Sequence, residues 1–402
     1  MSPPARRALG LVSAMALELA SGLAVPPAAS ADPLRLRADA LATTTAPAGL
    51  LVLDASGAAD PRLSAEAVVW VANGASLDDS SHGDVLVVAV DAHSRDGNEA
   101  ARLGRFVTAM GALRPVHLDG GALRLRLPRR IDVELAAGVP VLPGLMTGRS
   151  WDWLAGGRVA RRFGDWGSAG VAYEQRREDG KLYTHEVGVD AGLAITERSD
   201  VGARAAYDLV NPGLAEVRLT ASRRGKSVRT ELYAAHVAAS HMLPATSLFS
   251  VIGDVPSQRA GAVVTWTAAP RLDLTADAGA RRIDSDLGVE LVGRARLKLD
   301  DRGASAISTE LRRSGVGDEA WTGARCAGRL ALPHALAVST ELELVRPDEP
   351  RGRGSLWPWA LAALSWDDGD WQAAAAVEAS ASPQYRSRVD ALFQLGRRWG
   401  KP

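Results

Sequence analysis

Apolar and polar residues alternate along most of this chain with a period of two. From Glu186 to Thr196 the order EVGVDAGLAIT sets Val187, Val189, Ala191, Leu193 and Ile195 against Glu186, Gly188, Asp190, Gly192 and Ala194. Successive side chains of an extended strand point to opposite sides, so this pattern predicts a strand with one apolar face. The same alternation recurs at 201–209, 215–222, 272–279, 289–299 and 336–344. Turn-forming residues separate the runs: Glu178-Asp179-Gly180-Lys181, Asn211-Pro212-Gly213, Arg224-Gly225-Lys226, Ala269-Pro270 and Asp300-Asp301-Arg302-Gly303. No helical period of 3.6 is sustained after the first thirty residues. The pattern predicts an all-β chain of adjacent antiparallel hairpins.

A soluble sandwich also alternates, but it fills its buried face with large Val, Ile, Leu and Phe side chains. Here the apolar face is rich in alanine, and the opposite face carries charges on almost every run. A transmembrane barrel needs that division: lipid touches one face, and water and ion pairs occupy the other. Closing the sheet also satisfies the strand backbones, which lipid cannot do. The expected fold is therefore an antiparallel up-and-down transmembrane β-barrel. A spanning strand takes about 9–11 residues and its connections roughly double that, which predicts about 18–20 strands.

Tryptophans cluster near run ends, at Trp151, Trp153, Trp166, Trp321, Trp357, Trp359, Trp366, Trp371 and Trp399. Those nine are the expected interfacial girdle, since amphipathic rings settle at the headgroup level. The charged face supplies the expected lumen lining: Asp152, Arg158, Arg162, Glu186, Asp190, Arg204, Asp208, Glu216, Arg218, Glu290, Arg294, Arg296, Arg325, Glu341 and Glu343.

Composition sharpens this picture only in part. The 402 residues are 47% hydrophobic and carry 47 basic against 47 acidic side chains. That balance argues against a nucleic-acid binder working through backbone phosphates, so no nucleic-acid partner is expected. It also argues against a single-signed conduit for polyanions. With one cysteine, Cys326, no disulfide framework is available. Arg6-Arg7, the apolar stretch Ala8–Val25 and Ala29-Ser30-Ala31 have the three parts of a secretory signal peptide. Residues 1–31 are thus expected to be the signal and 32–402 the barrel, exported to the periplasm and inserted in the outer membrane.

Catalytic chemistry finds little support. There is no G-x-S-x-G, phosphate loop or dinucleotide fingerprint, and the seven histidines form no pair at metal-ligand spacing. His185 and Asp190 are the nearest approach to an acid–base pair. No enzyme, cofactor or metal is expected.

Two stretches resist the hairpin pattern, 102–121 and 236–258, and both are candidates for lumen-facing loops. The first holds the charged cluster Arg114, His117 and Asp119, the expected constriction. From Gly104-Arg105-Phe106 to Gly120-Gly121, and on through a strand pair to Val141, it resembles the alginate-export and porin superfamily of Gram-negative outer-membrane barrels. There a short strand is followed by an irregular loop and a strand ending in Leu-Pro. The resemblance covers about forty residues. It implies a passive conduit with loops folded into the lumen and an acidic glycan as one solute class. The chain end, where Val389, Ala391, Phe393, Leu395 and Trp399 alternate with charged residues, resembles the C-terminal assembly signal of such barrels. Gly400-Lys401-Pro402 after the aromatic depart from it.

The expected function is a porin-like channel for small or polymeric hydrophilic solutes. Alternatives are the barrel component of a polysaccharide-export or envelope complex, and a plugged structural barrel. Expected partners are outer-membrane lipid, the barrel-assembly machinery and, for the export alternative, periplasmic export proteins.

Overall fold

The computed structural model describes residues 34–42, 47–60, 62–73, 82–141, 151–238, 256–317, 320–349, 354–381 and 387–399. The signal segment 1–31 lies outside the described residues. Strands run in chain order as β1 (Leu34–Ala42), β2 (Pro47–Asp60), β3 (Leu63–Asn73), β4 (His82–His93), β5 (Glu99–Thr108), β6 (Val116–Leu127) and β7 (Ile131–Pro140). They continue as β8 (Trp151–Phe163), β9 (Gly167–Glu178), β10 (Lys181–Thr196), β11 (Ser199–Asp208), β12 (Gly213–Arg224), β13 (Val228–Val237) and β14 (Ser257–Ala269). The remainder are β15 (Leu272–Ile283), β16 (Asp286–Lys298), β17 (Ala306–Ser314), β18 (Trp321–Ala331), β19 (Leu336–Pro347), β20 (Trp357–Asp367), β21 (Trp371–Ser380) and β22 (Arg388–Trp399).

Each strand pairs antiparallel with its neighbours in sequence. The last strand then returns to the first, from Leu34↔Trp399 to Ala42↔Ala391. That ladder closes a single 22-stranded up-and-down barrel. Closure leaves no strand at a free edge of the sheet, the condition for a sheet that touches lipid.

The barrel has 22 strands rather than the 18–20 expected from length, because many connections are shorter than the expectation assumed. Glu197-Arg198 and Pro270-Arg271 each suffice to reverse the chain. Asp179 and Gly180 also form a two-residue turn, with φ of 50° and 72°, the left-handed pair that matches strand twist. The connections at the barrel end where β1 starts and β22 finishes are mostly short. The opposite end carries the longest, 141–150 and 238–256.

Alternation resolves into two faces. One face presents Leu135, Val159, Val171, Val189, Leu219, Leu291, Leu342 and Val377, all exposed. The other holds the most buried side chains, including Phe106, Leu118, Leu154 and Glu186. Only the concave side of a closed sheet can bury side chains from non-adjacent strands together, so the second face is the lumen. Val171, 56% exposed midway along β9, tests this assignment. Val171→Arg is expected to cost about 2–4 kcal/mol of stability in lipid, read by denaturant unfolding from vesicles. The same change at Val228, the first residue of β13 at the rim, is expected to cost about 0–1 kcal/mol.

The register corrects part of the tryptophan expectation. Trp357 pairs with Val345 and Trp359 with Glu343, which places both on the inner face. Trp321, two residues before Gly323 and four before Arg325, is also inward, with the Arg312 guanidinium 5.5 Å from its ring. Trp359 and Trp366 differ by an odd number of residues and so point to opposite faces. Trp166, Trp366 and Trp371 do stand on the outside or at the rim near the short-turn end, joined by Trp266, which the sequence reading missed. Trp153 stands near the other end, under the Arg177 guanidinium. Trp151 and Trp399 occupy strand ends, the first of β8 and the last of β22.

Candidate functional site

The stretch 102–121 is mostly strand, contrary to the expectation of a loop. Arg102–Thr108 belongs to β5 and Val116–Gly121 to β6, leaving only 109–115 irregular. Its glycines misled because they serve close backbone approach inside strands, not a loop. Gly104 has φ of 125°, and a Cβ there would collide with the Val88 carbonyl. There the hairpin parts from its neighbour: the β4–β5 ladder stops at Val88↔Arg105 although β4 runs on to His82.

Past that point the tip crosses to strands three to five places away. Met110 lies against Gly156 of β8, and Ala112 and Leu113 lie against Gly188 of β10. Met110, Ala112 and Leu113 are buried, and Met110 and Leu113 join Phe106, Leu118, Leu154, Ala136, Ala172 and Ala206 in one apolar cluster on the inner wall. Gly111 has a left-handed φ of 60° and rests on the Arg158–Asp190 ion pair. Beside it Arg114 Nη2 donates to Glu186 Oε1 at 2.8 Å, over a carboxylate that is itself buried. Segment 109–115 is thus a loop folded onto the lumen wall.

The three expected constriction residues are divided by this geometry. Arg114 meets the wall. His117 and Asp119 alternate with Leu118 and so face the other way, toward β4. There Arg105 makes two bonds to Asp119, Nε–Oδ1 at 2.6 Å and Nη2–Oδ2 at 2.8 Å. The same guanidinium donates to Asp84 Oδ1 and the Val85 carbonyl, each at 3.0 Å. The tip is therefore held on both sides, by apolar packing toward β8–β10 and by a charge-assisted fork toward β4.

The second irregular stretch, 236–258, divides differently. His236 and Val237 end β13 and Ser257 and Gln258 begin β14, while 239–255 lies outside the described residues.

The inner wall is laced with ion pairs. Arg158 bonds Asp190 through Nε at 2.9 Å and Nη2 at 2.6 Å, and reaches Glu134 at 3.6 Å. Arg204 bonds Glu216 at 2.5 Å, with Arg218 3.5 Å from the same carboxylate. Arg325 meets Glu341 at 2.5 Å, Arg281 meets Glu290 at 3.1 Å, and Arg162 meets Asp132 at 3.1 Å. Arg312 links Glu310 at 3.0 Å and Glu343 at 2.6 Å, and Arg294 Nε donates to Glu310 at 2.7 Å. Two residues of the expected lining also hold turns at the loop-bearing rim. Asp152 accepts from the Gly180 amide at 2.6 Å, and Asp208 accepts from the Val210 amide at 2.8 Å. At the opposite, short-turn rim, Asp96 in the β4–β5 turn is held down to about 2 by hydrogen bonds from Ser94 and Asn98, so it stays ionised through ordinary pH.

His185 and Asp190 are not a pair. Five residues apart on β10, they point to opposite faces, His185 to the Tyr173 hydroxyl at 2.9 Å and Asp190 to Arg158. Alternation from Arg325 also predicts Arg329 on the inner wall, a position the sequence reading overlooked.

The fold is shared with known barrels although the sequence is not. No family model matches the chain, and no curated protein matches it. The siderophore receptor PirA from Pseudomonas aeruginosa is similar at a TM-score of 0.60 and 9% identity, over 92% of this chain and 81% of that one. The translocation pore of the P pilus usher PapC is similar at 0.55 and 9% identity, over 92% of this chain and all of that one. At such identities the likeness establishes the architecture: a closed antiparallel β-barrel of the outer-membrane kind.

Proposed function

We propose that the chain is a Gram-negative outer-membrane channel passing small hydrophilic solutes passively, with segment 109–115 as its constriction. The observation that carries this reading is the loop laid on the charged inner wall of a closed barrel with an apolar exterior. A wet lumen accounts for the ion pairs, and lipid accounts for the exposed Val and Leu outside. The balance of Arg against Asp and Glu along the wall supports weak overall charge selectivity. By analogy with barrels whose short turns are periplasmic, the longer connections would face outward from the cell. Usher and receptor barrels of similar architecture support the membrane placement.

Strand number favours a second reading. Barrels of 22 strands include transporters with a filled lumen, so a plug supplied by another segment or protein would make this a gated receptor. Swelling of vesicles containing the purified protein separates the two. The channel reading expects uptake of small sugars that falls as sugar size rises. No swelling beyond protein-free vesicles for any sugar would replace it with the filled barrel.

A further inference from the structure

The inner wall carries a recess of about 480 Å³ where β16, β17, β18 and β19 meet. Its floor is small, with Ala306, Ser308 and Ala327, and its sides are Arg294, Arg296, Arg325 and Arg329. Ser308 stands between Arg296 and Ala327 in one cross-strand row, and Ala306 pairs with Arg329 in the next. Short side chains between long ones leave a hollow that a solute can enter.

Charge in the hollow is not balanced as it is elsewhere. Four arginines line it against two carboxylates, Glu310 and Glu341. Both carboxylates are engaged, Glu310 by Arg294 and Arg312 and Glu341 by Arg325. They are also recessed: the Glu310 side chain is 7% exposed, whereas that of Arg294 is 51% exposed. Arg296 and Arg329 are exposed and have no ion-pair partner among the described residues. The nearest carboxylate to Arg296 across the ladder, Asp273, is taken by Lys298 at 2.9 Å and by Thr267 at 3.0 Å. These two guanidiniums flank β17 at about 10 Å between backbones, a span that flexible arginines close around one small molecule.

We infer that this recess binds an oxyanion, phosphate or carboxylate, through Arg296 and Arg329, giving the channel a local anion station in an otherwise balanced lumen. The inference rests on taking the inner wall as the solute path. Free guanidiniums form bidentate bonds to such groups, and Ser308 adds a hydroxyl donor from the floor. The station lies toward the short-turn end, since Lys298 ends β16 there, so a solute entering past segment 109–115 reaches it second.

Calorimetric titration of detergent-solubilised full-length protein with inorganic phosphate, and separately with citrate, tests it at low salt. Saturable binding of either probe is expected, weakened about tenfold or more in Arg296→Gln/Arg329→Gln. Arg271→Gln, which removes an exposed turn arginine paired with Asp301, is expected to bind like the native protein. Phosphate alone, citrate alone or both identify the anion class. Binding of neither, or equal binding by the double variant, overturns the inference. Swelling without binding would remove the station and leave the channel standing, and binding without swelling would do the reverse.

Discussion

Gly111→Val is expected to raise single-channel conductance severalfold. Gly111 holds a φ of 60°, where a β-branched residue is strongly disfavoured. A Cβ there would also collide with Asp190 Oδ1 and lie 2.8 Å from Arg158 Cδ. Both partners are fixed by their own bidentate bond, so the loop must yield rather than the wall. Once 110–114 lifts, Arg114 leaves Glu186, and the space occupied by Met110 and Leu113 opens to water. Gly97→Val supplies the control. Its φ is 69°, but nothing lies within 4 Å of the added Cβ, so it carries the backbone strain without the collision. Bilayer recordings should show larger unitary steps for Gly111→Val alone. Equal steps in both variants would mean that 109–115 does not limit the current.

Phe106→Ala is expected to lower stability by about 3–5 kcal/mol, because the ring fills a packed site that cannot collapse. Phe106 is 1% exposed and pairs across the hairpin with Leu118, which is fully buried. Together with Leu113 and Leu154 they make a small apolar core inside an otherwise polar lumen. Leu103, three residues earlier and 64% exposed on the outer face, gives the comparison. Leu103→Ala loses transfer energy but leaves no void, since lipid chains fill the space, so its cost should be smaller. Denaturant unfolding from vesicles measures both. A Phe106→Ala cost no greater than that of Leu103→Ala would show that the loop is not anchored by this core.

The fold was legible because the clearly alternating strands, such as β10 and β16, each keep one apolar face. On β10 Val187, Val189, Ala191 and Leu193 face outward while Glu186 and Asp190 face inward, as alternation alone predicts. The loop on the lumen wall was not legible as such. Gly104, Gly120 and Gly121 read as loop residues, whereas backbones approach closely at the first two within strands. The partners of the tip, Gly156 and Gly188, are far along the chain, and no local pattern links them to Met110 or Leu113. The inward tryptophans escaped for another reason. Around Trp357-Pro358-Trp359-Ala360-Leu361 both faces are apolar, so alternation assigns neither side, and only pairing with Glu343 decides it. Where alternation is strong, it sets Arg294, Arg325 and Glu341 on the face opposite the exposed Val and Leu residues, and the ladder pairs Arg294 with Glu310 and Arg325 with Glu343 on that same face. At Asp152 and Asp208 a strand end becomes a turn, so each carboxylate also caps a backbone amide, which alternation does not reveal.

Single-channel recording of the purified full-length protein in planar bilayers tests the central claim most directly. A closed barrel with a wet, ion-paired lumen predicts stable stepwise currents with weak preference between potassium and chloride, and larger steps for Gly111→Val. Confirmed insertion without any current, in both the native chain and that variant, would contradict it.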